Sequence, residues 1–222
     1  MSINIAIDGP AGAGKSTIAR KLAKDLGFIY VDSGAMYRAM GYYFLLNGIA
    51  PDDEAAIATA CSGVDVTITH ENGEQQVILN GKNVNGMIRT EEVSRMTSET
   101  SIYPVVREKL VALQRQLAAS TDVIMDGRDI GTCVLPDAQV KIYLTASVET
   151  RAKRRYDELV EKGMSCDLAT ITKDIEERDY RDMHRETSPL RQADDAVLVD
   201  SSEMSIDEVV AEIRRIYEGV VV

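Results

Sequence analysis

No stretch of 18 or more apolar residues occurs in the chain, and its longest apolar segments are broken by Asp, Lys or Gly. A membrane-spanning helix is excluded on that ground. The opening MSINIAIDGP has no basic segment followed by an apolar one, so no secretory signal is read there. Cysteine is sparse: Cys61, Cys133 and Cys166 are widely spaced, odd in number, and form no CxxC pair. No disulfide framework follows from such a pattern, and buried thiols in a reducing cytoplasm are expected. Tryptophan is missing altogether, and aromatic residues make up only 5%. Positive charge is also short, with 25 basic against 36 acidic side chains and a formal net charge of −11. Bulk binding to nucleic acid or to an anionic membrane is therefore not expected. An anionic ligand needs a local cationic cluster working against the average field. Arginine, at 16 residues against 9 lysines, supplies the planar fork that holds phosphate bidentately.

What is present suits one domain of ordinary size with room for a small insert. The 222 residues are 45% apolar and 27% charged, near globular averages, and can bury a sizeable core. Short apolar runs at Ile3–Asp8, Phe28–Val31, Asp122–Asp126, Val140–Leu144 and Ala196–Val199 read as five buried strands. Helical stretches lie between them: one runs from the glycine-rich loop through Leu26 and stops at Gly27, and others span Ala35–Leu46, Asp52–Cys61, Thr90–Ile102, Pro104–Ala119, Ala146–Lys162, Asp167–His184 and Ser205–Tyr217. Ser205 with Glu208 forms a capping box. This alternation predicts an α/β fold with a five-stranded parallel sheet covered on both faces, a three-layer arrangement. Between Gly63 and about Met87 the period changes to two, and Asn72-Gly73 and Asn80-Gly81 give hairpin turn signals. That segment reads as a small antiparallel β insert. No repeat or low-complexity linker interrupts the chain.

Gly9-Pro10-Ala11-Gly12-Ala13-Gly14-Lys15-Ser16-Thr17 fits G-x-x-x-x-G-K-S/T and sits between a strand and a helix, where phosphate binding requires it. Glycines let successive backbone N–H groups turn inward on phosphate oxygens. Lys15 reaches the β/γ-phosphates, and the Ser16 hydroxyl suits Mg²⁺. A nucleoside triphosphate site follows. A regulatory GTPase would need an N-K-x-D segment, which is absent, so transfer of the γ-phosphoryl to a small acceptor is favoured. A nucleotide-dependent switch without transfer activity, or another small P-loop kinase such as an adenylate or shikimate kinase, is the rival reading.

Two further strand ends carry charge. Asp32-Ser33-Gly34-Ala35-Met36-Tyr37-Arg38 follows the second strand, and Ser33 alone reads more readily as a helix N-cap than as a ligand contact. Arg38 with Ser33 at that strand exit favours an anion site. Asp126-Gly127-Arg128-Asp129 follows the third body strand, where P-loop enzymes place a carboxylate near Mg²⁺ or its water shell. Arg178, Asp182 and Arg185 fall at i, i+4 and i+7 on one helix face, which fits a face bent over phosphates rather than a plain solvated one. Arg151, Arg154 and Arg155 open a helix that could close over ATP. His70 and His184 lack partners for a metal site or a triad and read as surface residues.

The set of motifs resembles the bacterial cytidylate kinase family: GPAGAGKST, DSGAMYR, RTEEV at Arg89–Val93, VVR at Val105–Arg107, DGRDIGT at Asp126–Thr132 and ERDYRD at Glu177–Asp182. The likeness runs from Ile3 to about Tyr217. It implies a nucleoside monophosphate kinase with a CORE (about 1–62, 88–150 and 186–222), a monophosphate-binding β insert (about 63–87) and a short helical LID (about 151–168, its flanking helix reaching 185). It further implies Mg²⁺-dependent transfer from ATP to CMP or dCMP, with UMP a poorer acceptor. By the resemblance, Lys15, Asp126, Arg128 and Arg178 would be catalytic. Ser33, Arg38, Arg128 and Arg178 would hold the acceptor phosphate, and Ser98, Arg107 and Asp129 would read cytosine. Asp182 and Arg185 would contact the sugar, and Arg154 would be a LID contact to the triphosphate. A cytoplasmic monomer that binds neither nucleic acid nor membrane is expected.

Overall fold

The computed structural model describes residues 2–71 and 73–221, so the turn residue Asn72 lies outside the described residues. In chain order its elements are β1 (Asn4–Asp8), α1 (Lys15–Leu26), β2 (Ile29–Asp32), α2 (Ser33–Leu46), α3 (Glu54–Gly63), β3 (Val66–Glu71), β4 (Glu74–Leu79), β5 (Lys82–Asn83), α4 (Glu91–Thr100), α5 (Pro104–Ser120), β6 (Val123–Gly127), β7 (Val140–Thr145), α6 (Val148–Glu161), α7 (Leu168–His184), β8 (Val197–Asp200) and α8 (Ile206–Val221). β1, β2, β6, β7 and β8 form the parallel five-stranded sheet, in the order β2-β6-β1-β7-β8.

Strand alternation decides which layer each side chain enters. Ile5 and Ile7 of β1 pack with Ile18 and Leu22 of α1 and with Val209 and Ile213 of α8. Ala6 turns to the opposite face, with Met36 and Phe44 of α2 and Leu110 of α5. Both faces being covered, the central strands read as unbroken apolar runs. Each fully buried Ile, Leu or Phe here contributes on the order of 1.5–3 kcal/mol.

The second sheet, β3-β4-β5, is antiparallel and pairs Val66 with Leu79. Asn80 and Gly81 both have positive φ (48° and 76°), as the mirror-image turn between β4 and β5 requires. Val66, Val77, Leu79 and Val84 reach into the same core as α2, so this sheet is packed onto the body rather than tethered to it. α6 and α7 differ: Ala152, Leu159, Ile171 and Ile175 form a separate small core.

Four local expectations are corrected. Helix α2 begins at Ser33, not Ala35, and its N-cap is Asp32, whose carboxylate accepts from Ala35 N; Ser33 caps nothing. Only Cys61 is buried, while Cys133 and Cys166 are half-buried free thiols. His70 is half-buried, with Nε2 3.1 Å from the Tyr30 carbonyl. A π turn, Ile130–Val134, follows Asp129 where the sequence shows no regular element, because its bonds close onto partners five residues apart.

Candidate active site

At the carboxyl ends of β1, β2 and β6 the sheet opens into a cleft of about 720 Å³. The glycine loop leaves β1. Gly9 has φ of 147°, and a Cβ there would sit 1.9 Å from the Leu144 carbonyl oxygen, so the backbone passes where only glycine fits. Gly14, at φ 87°, caps α1 without any side-chain bond, leaving first-turn N–H groups facing a ligand space. Lys15 is buried, and its Nζ donates to the Pro10 carbonyl at 2.7 Å. Burial first, then the nearby Arg128, pushes its ammonium well below the usual lysine range. Such a cation is poorly solvated and has no anion in direct contact among the described residues, which a phosphate would supply.

Asp126 ends β6 beside the loop, with β1 and β6 paired Ile7 to Asp126. It accepts from the hydroxyls of Ser16 and Tyr30, each at 2.9 Å. Burial, with Asp32 next in size, raises its carboxyl to about 6. A buried carboxylate so raised, touching a serine hydroxyl, matches the sparse hard-oxygen donor set of Mg²⁺, which keeps most ligands as water and phosphate. Among the described residues no group of three or more His, Cys, Asp or Glu forms a complete cage. Ser16 and Asp126 therefore fit the ion only alongside a bound nucleotide.

Opposite the loop, α2, α4, α5, α7 and the β6 exit converge on the same space. Ser33, Arg38, Ser98, Arg107, Asp126, Arg128, Asp129, Arg154, Arg178, Asp182 and Arg185 all line the cleft with Lys15 and Ser16; Gly9 and Pro10 do not line it. The lining holds eight arginines and one lysine against four aspartates and one glutamate, a cationic surface on a chain of net charge −11. Arg38 pairs with Asp32 at 2.9 Å, and Arg128 Nε donates to Asp182 at 2.8 Å. Arg178 has no partner for its buried Nε among the described residues; burial and Arg128 lower its guanidinium to about 10. Asp129 is held by buried Arg107, with Arg185 Nη2 at 3.5 Å.

Several of these groups also have partners within the protein. The Ser33 hydroxyl donates to the Asp126 carbonyl at 2.6 Å, tying two strand exits together. Arg151 is spent inside the protein: its nitrogens donate to Ala146 O and Ala11 O at 2.9 Å and meet Asp179 at 2.7 Å, bracing the loop against α7. Arg154 turns to the Ser201 carbonyl at 2.7 Å. Tyr37 was missed although it lies within DSGAMYR. It lines the cleft with its hydroxyl unpartnered among the described residues, and Arg107 lies 5.5 Å over its ring. Asp8 was missed too, since its partners are over a hundred positions away.

The architecture and its glycine loop are those of a P-loop kinase. Solved structures share the fold at low identity: a shikimate kinase from Bacteroides thetaiotaomicron (TM-score 0.50, 11% identical, covering 97% of this chain and 98% of that one). An uncharacterized protein from Eubacterium ventriosum superposes with a TM-score of 0.54 at 14% identity, covering 98% and 99%. The family model described as Cytidylate kinase matches residues 5–219. Relatives include the cytidylate kinases of Lactobacillus johnsonii (52% identical, 97% of this chain and 94% of that protein) and Caldicellulosiruptor bescii (50%, covering 99% and 97%). The chain belongs to the cytidylate kinase family, whose members are nucleoside monophosphate kinases.

Proposed function

We propose that the protein transfers the γ-phosphoryl group of ATP, with Mg²⁺, to the 5′-phosphate of CMP or dCMP, giving ADP and CDP or dCDP. The observation that carries this reading is the shared cleft, lined both by the Lys15 loop and by Arg38, Arg128 and Arg178. An acceptor phosphate oxygen attacks Pγ, the bond from Pγ to the β-bridging oxygen breaks, and ADP leaves with that electron pair. The acceptor is already anionic at neutral pH, so no strong general base is needed. Lys15, Arg128 and Arg178 would neutralise charge spreading over the transferring group. Mg²⁺, held through Ser16 and Asp126, would add charge neutralisation on the phosphates when the nucleotide is bound.

Base choice rests with Asp129. Cytosine offers an exocyclic amino donor where uracil offers an acceptor, so a carboxylate favours the first and repels the second. Arg107 supplies donors for the ring acceptors, Ser98 lies beside them, and Asp182 and Arg185 flank the sugar position. Arg154 and the α6–α7 pair would close over the triphosphate and limit hydrolysis. No helix among the described residues is long and apolar enough to cross a membrane. With free cysteines, and with the Lys15 loop and the arginine group lining one cleft of a single chain, we read a cytoplasmic enzyme that acts as a monomer. Steady-state rates with ATP and CMP, dCMP, UMP, AMP or shikimate test the proposal. CMP and dCMP should lead, with UMP well behind; AMP or shikimate leading, or no product from any acceptor, would overturn it.

A further inference from the structure

Asp8 is the last residue of β1, and Gly9 of the phosphate loop follows it directly. It is 5% exposed, and its carboxylate is engaged by the backbone that follows β6. Oδ1 accepts from Ile130 N at 2.8 Å and Oδ2 from Gly131 N at 2.7 Å. Two parallel bonds to one carboxylate fix rotation as well as distance. They engage the first N–H groups of the π turn, which has no side-chain cap of its own. The turn's other end closes on the preceding residue, as Cys133 N and Val134 N donate to the Asp129 carbonyl at 2.9 and 3.1 Å. The Asp129 peptide is thus pinned on both sides, and from that corner Arg128 reaches Asp182 and Asp129 reaches Arg107. Gly131 allows the approach: a Cβ there would meet the Lys141 side chain at 3.2 Å and Asp8 Oδ2 at 3.4 Å.

We propose that Asp8 is a positioning residue that locks the Arg128–Asp129 corner to the root of the phosphate loop and so sets where the acceptor's base and phosphate lie relative to ATP. This rests on the function proposed above. Burial raises the Asp8 carboxyl to about 6 against the pull of its two N–H donors. A carboxylate held at such a cost, where an apolar residue would fill the space more cheaply, is in keeping with a geometric task. A merely structural group would, when altered, weaken both substrates together or lower stability alone. A lock on the acceptor corner acts on one substrate.

The test is Asp8→Asn, which keeps shape but faces one N–H with its own amide NH₂. Amide hydrogen exchange is read across the segment 128–135 in wild type and variant, and KM for CMP and ATP is measured separately. Wild-type amides of Ile130 and Gly131 should be protected, and the variant should exchange them at least about tenfold faster. KM for CMP should rise about tenfold and the CMP-over-UMP ratio should fall, while KM for ATP stays within about threefold. Unprotected wild-type amides at Ile130 and Gly131 would overturn the lock without reference to any variant, so a misfolded variant leaves it testable. A folded variant with unchanged exchange, unchanged KM for CMP, or equal losses for both substrates would also overturn it. Should wild type fail to phosphorylate CMP, the functional reading falls, and the exchange measurement still judges the lock.

Discussion

Replacing Asp129 by Asn removes one charge from a site where two cations, Arg107 and Arg185, and one aromatic ring have been arranged around it. Asp129 and Arg107 are each 4% exposed, and Arg185 stands 3.5 Å from the other carboxylate oxygen. Leaving a buried guanidinium without its anion costs on the order of 3–5 kcal/mol when the partner is deleted outright. The asparagine carbonyl still accepts a bond, and the Tyr37 ring 5.5 Å from Arg107 offsets some of the loss, so about 2–3 kcal/mol is expected. At about 2–4 °C per kcal/mol for a chain of this size, melting should fall by roughly 5–10 °C. The variant therefore remains folded under assay. Selectivity should change more than stability. The amide offers a donor as well as an acceptor, so uracil is no longer repelled, and about 1–3 kcal/mol of discrimination disappears. The ratio of kcat/KM for CMP over UMP should fall by about 5- to 150-fold, with UMP activity rising in absolute terms. A coupled assay of ADP release with each acceptor gives both numbers. A ratio within about twofold of wild type, in a variant whose melting temperature has dropped as expected, would refute the role and leave Asp129 a structural anion only.

Lys15→Ala should lower turnover by about 10²–10³ or more while leaving the melting temperature unchanged or higher, since the ammonium removed is a desolvated one; near-normal turnover would discard its role. Asp126→Asn has a pH signature. A folded-state carboxyl raised from 3.8 to about 6 stabilises the fold below pH 4, and that contribution is lost as pH rises through 6. The ligand-free variant should thus gain on wild type by about 1 kcal/mol more at pH 7.5 than at pH 5, while losing activity; an equal difference at both pH values would contradict the shift. Gly9→Ala should abolish ATP binding, because its Cβ would lie 1.9 Å from the Leu144 carbonyl at a φ of 147°; retained ATP affinity by calorimetry would show that the loop tolerates displacement.

Most of the body was legible from residue order because its signals are local. The five core strands are short runs rich in apolar residues, four of them closed by Asp or Gly and β7 by Thr145, and each observed strand lies within about one residue of its expected ends. Helix ends were readable where caps are explicit: Pro104 opens α5, Gly27 closes α1 in the left-handed region, and Ser205 and Glu208 exchange both capping bonds. The phosphate loop announced itself by composition and setting together. The acceptor side was less legible. Arg178, Asp182 and Arg185 shared a helix face in the sequence, but nothing local said which strand end that face would cover. Arg107 and Asp129 are 22 positions apart, and their pairing is made only when α5 packs beside the π turn. Asp8 and Ile130, 122 positions apart, meet because β1 and β6 are neighbours in the sheet though remote in the chain. Arg151 looked like a ligand group by its company on α6. Burial against Ala11 and Asp179 made it a brace.

Adenosine and cytidine joined through a pentaphosphate chain would have to occupy both nucleotide positions of the cleft at once. The proposal that one cleft holds both nucleotides predicts that this compound inhibits competitively against ATP and against CMP, and binds more tightly than either nucleotide alone. Competition with ATP only, with CMP still binding in the presence of saturating inhibitor, would contradict the account.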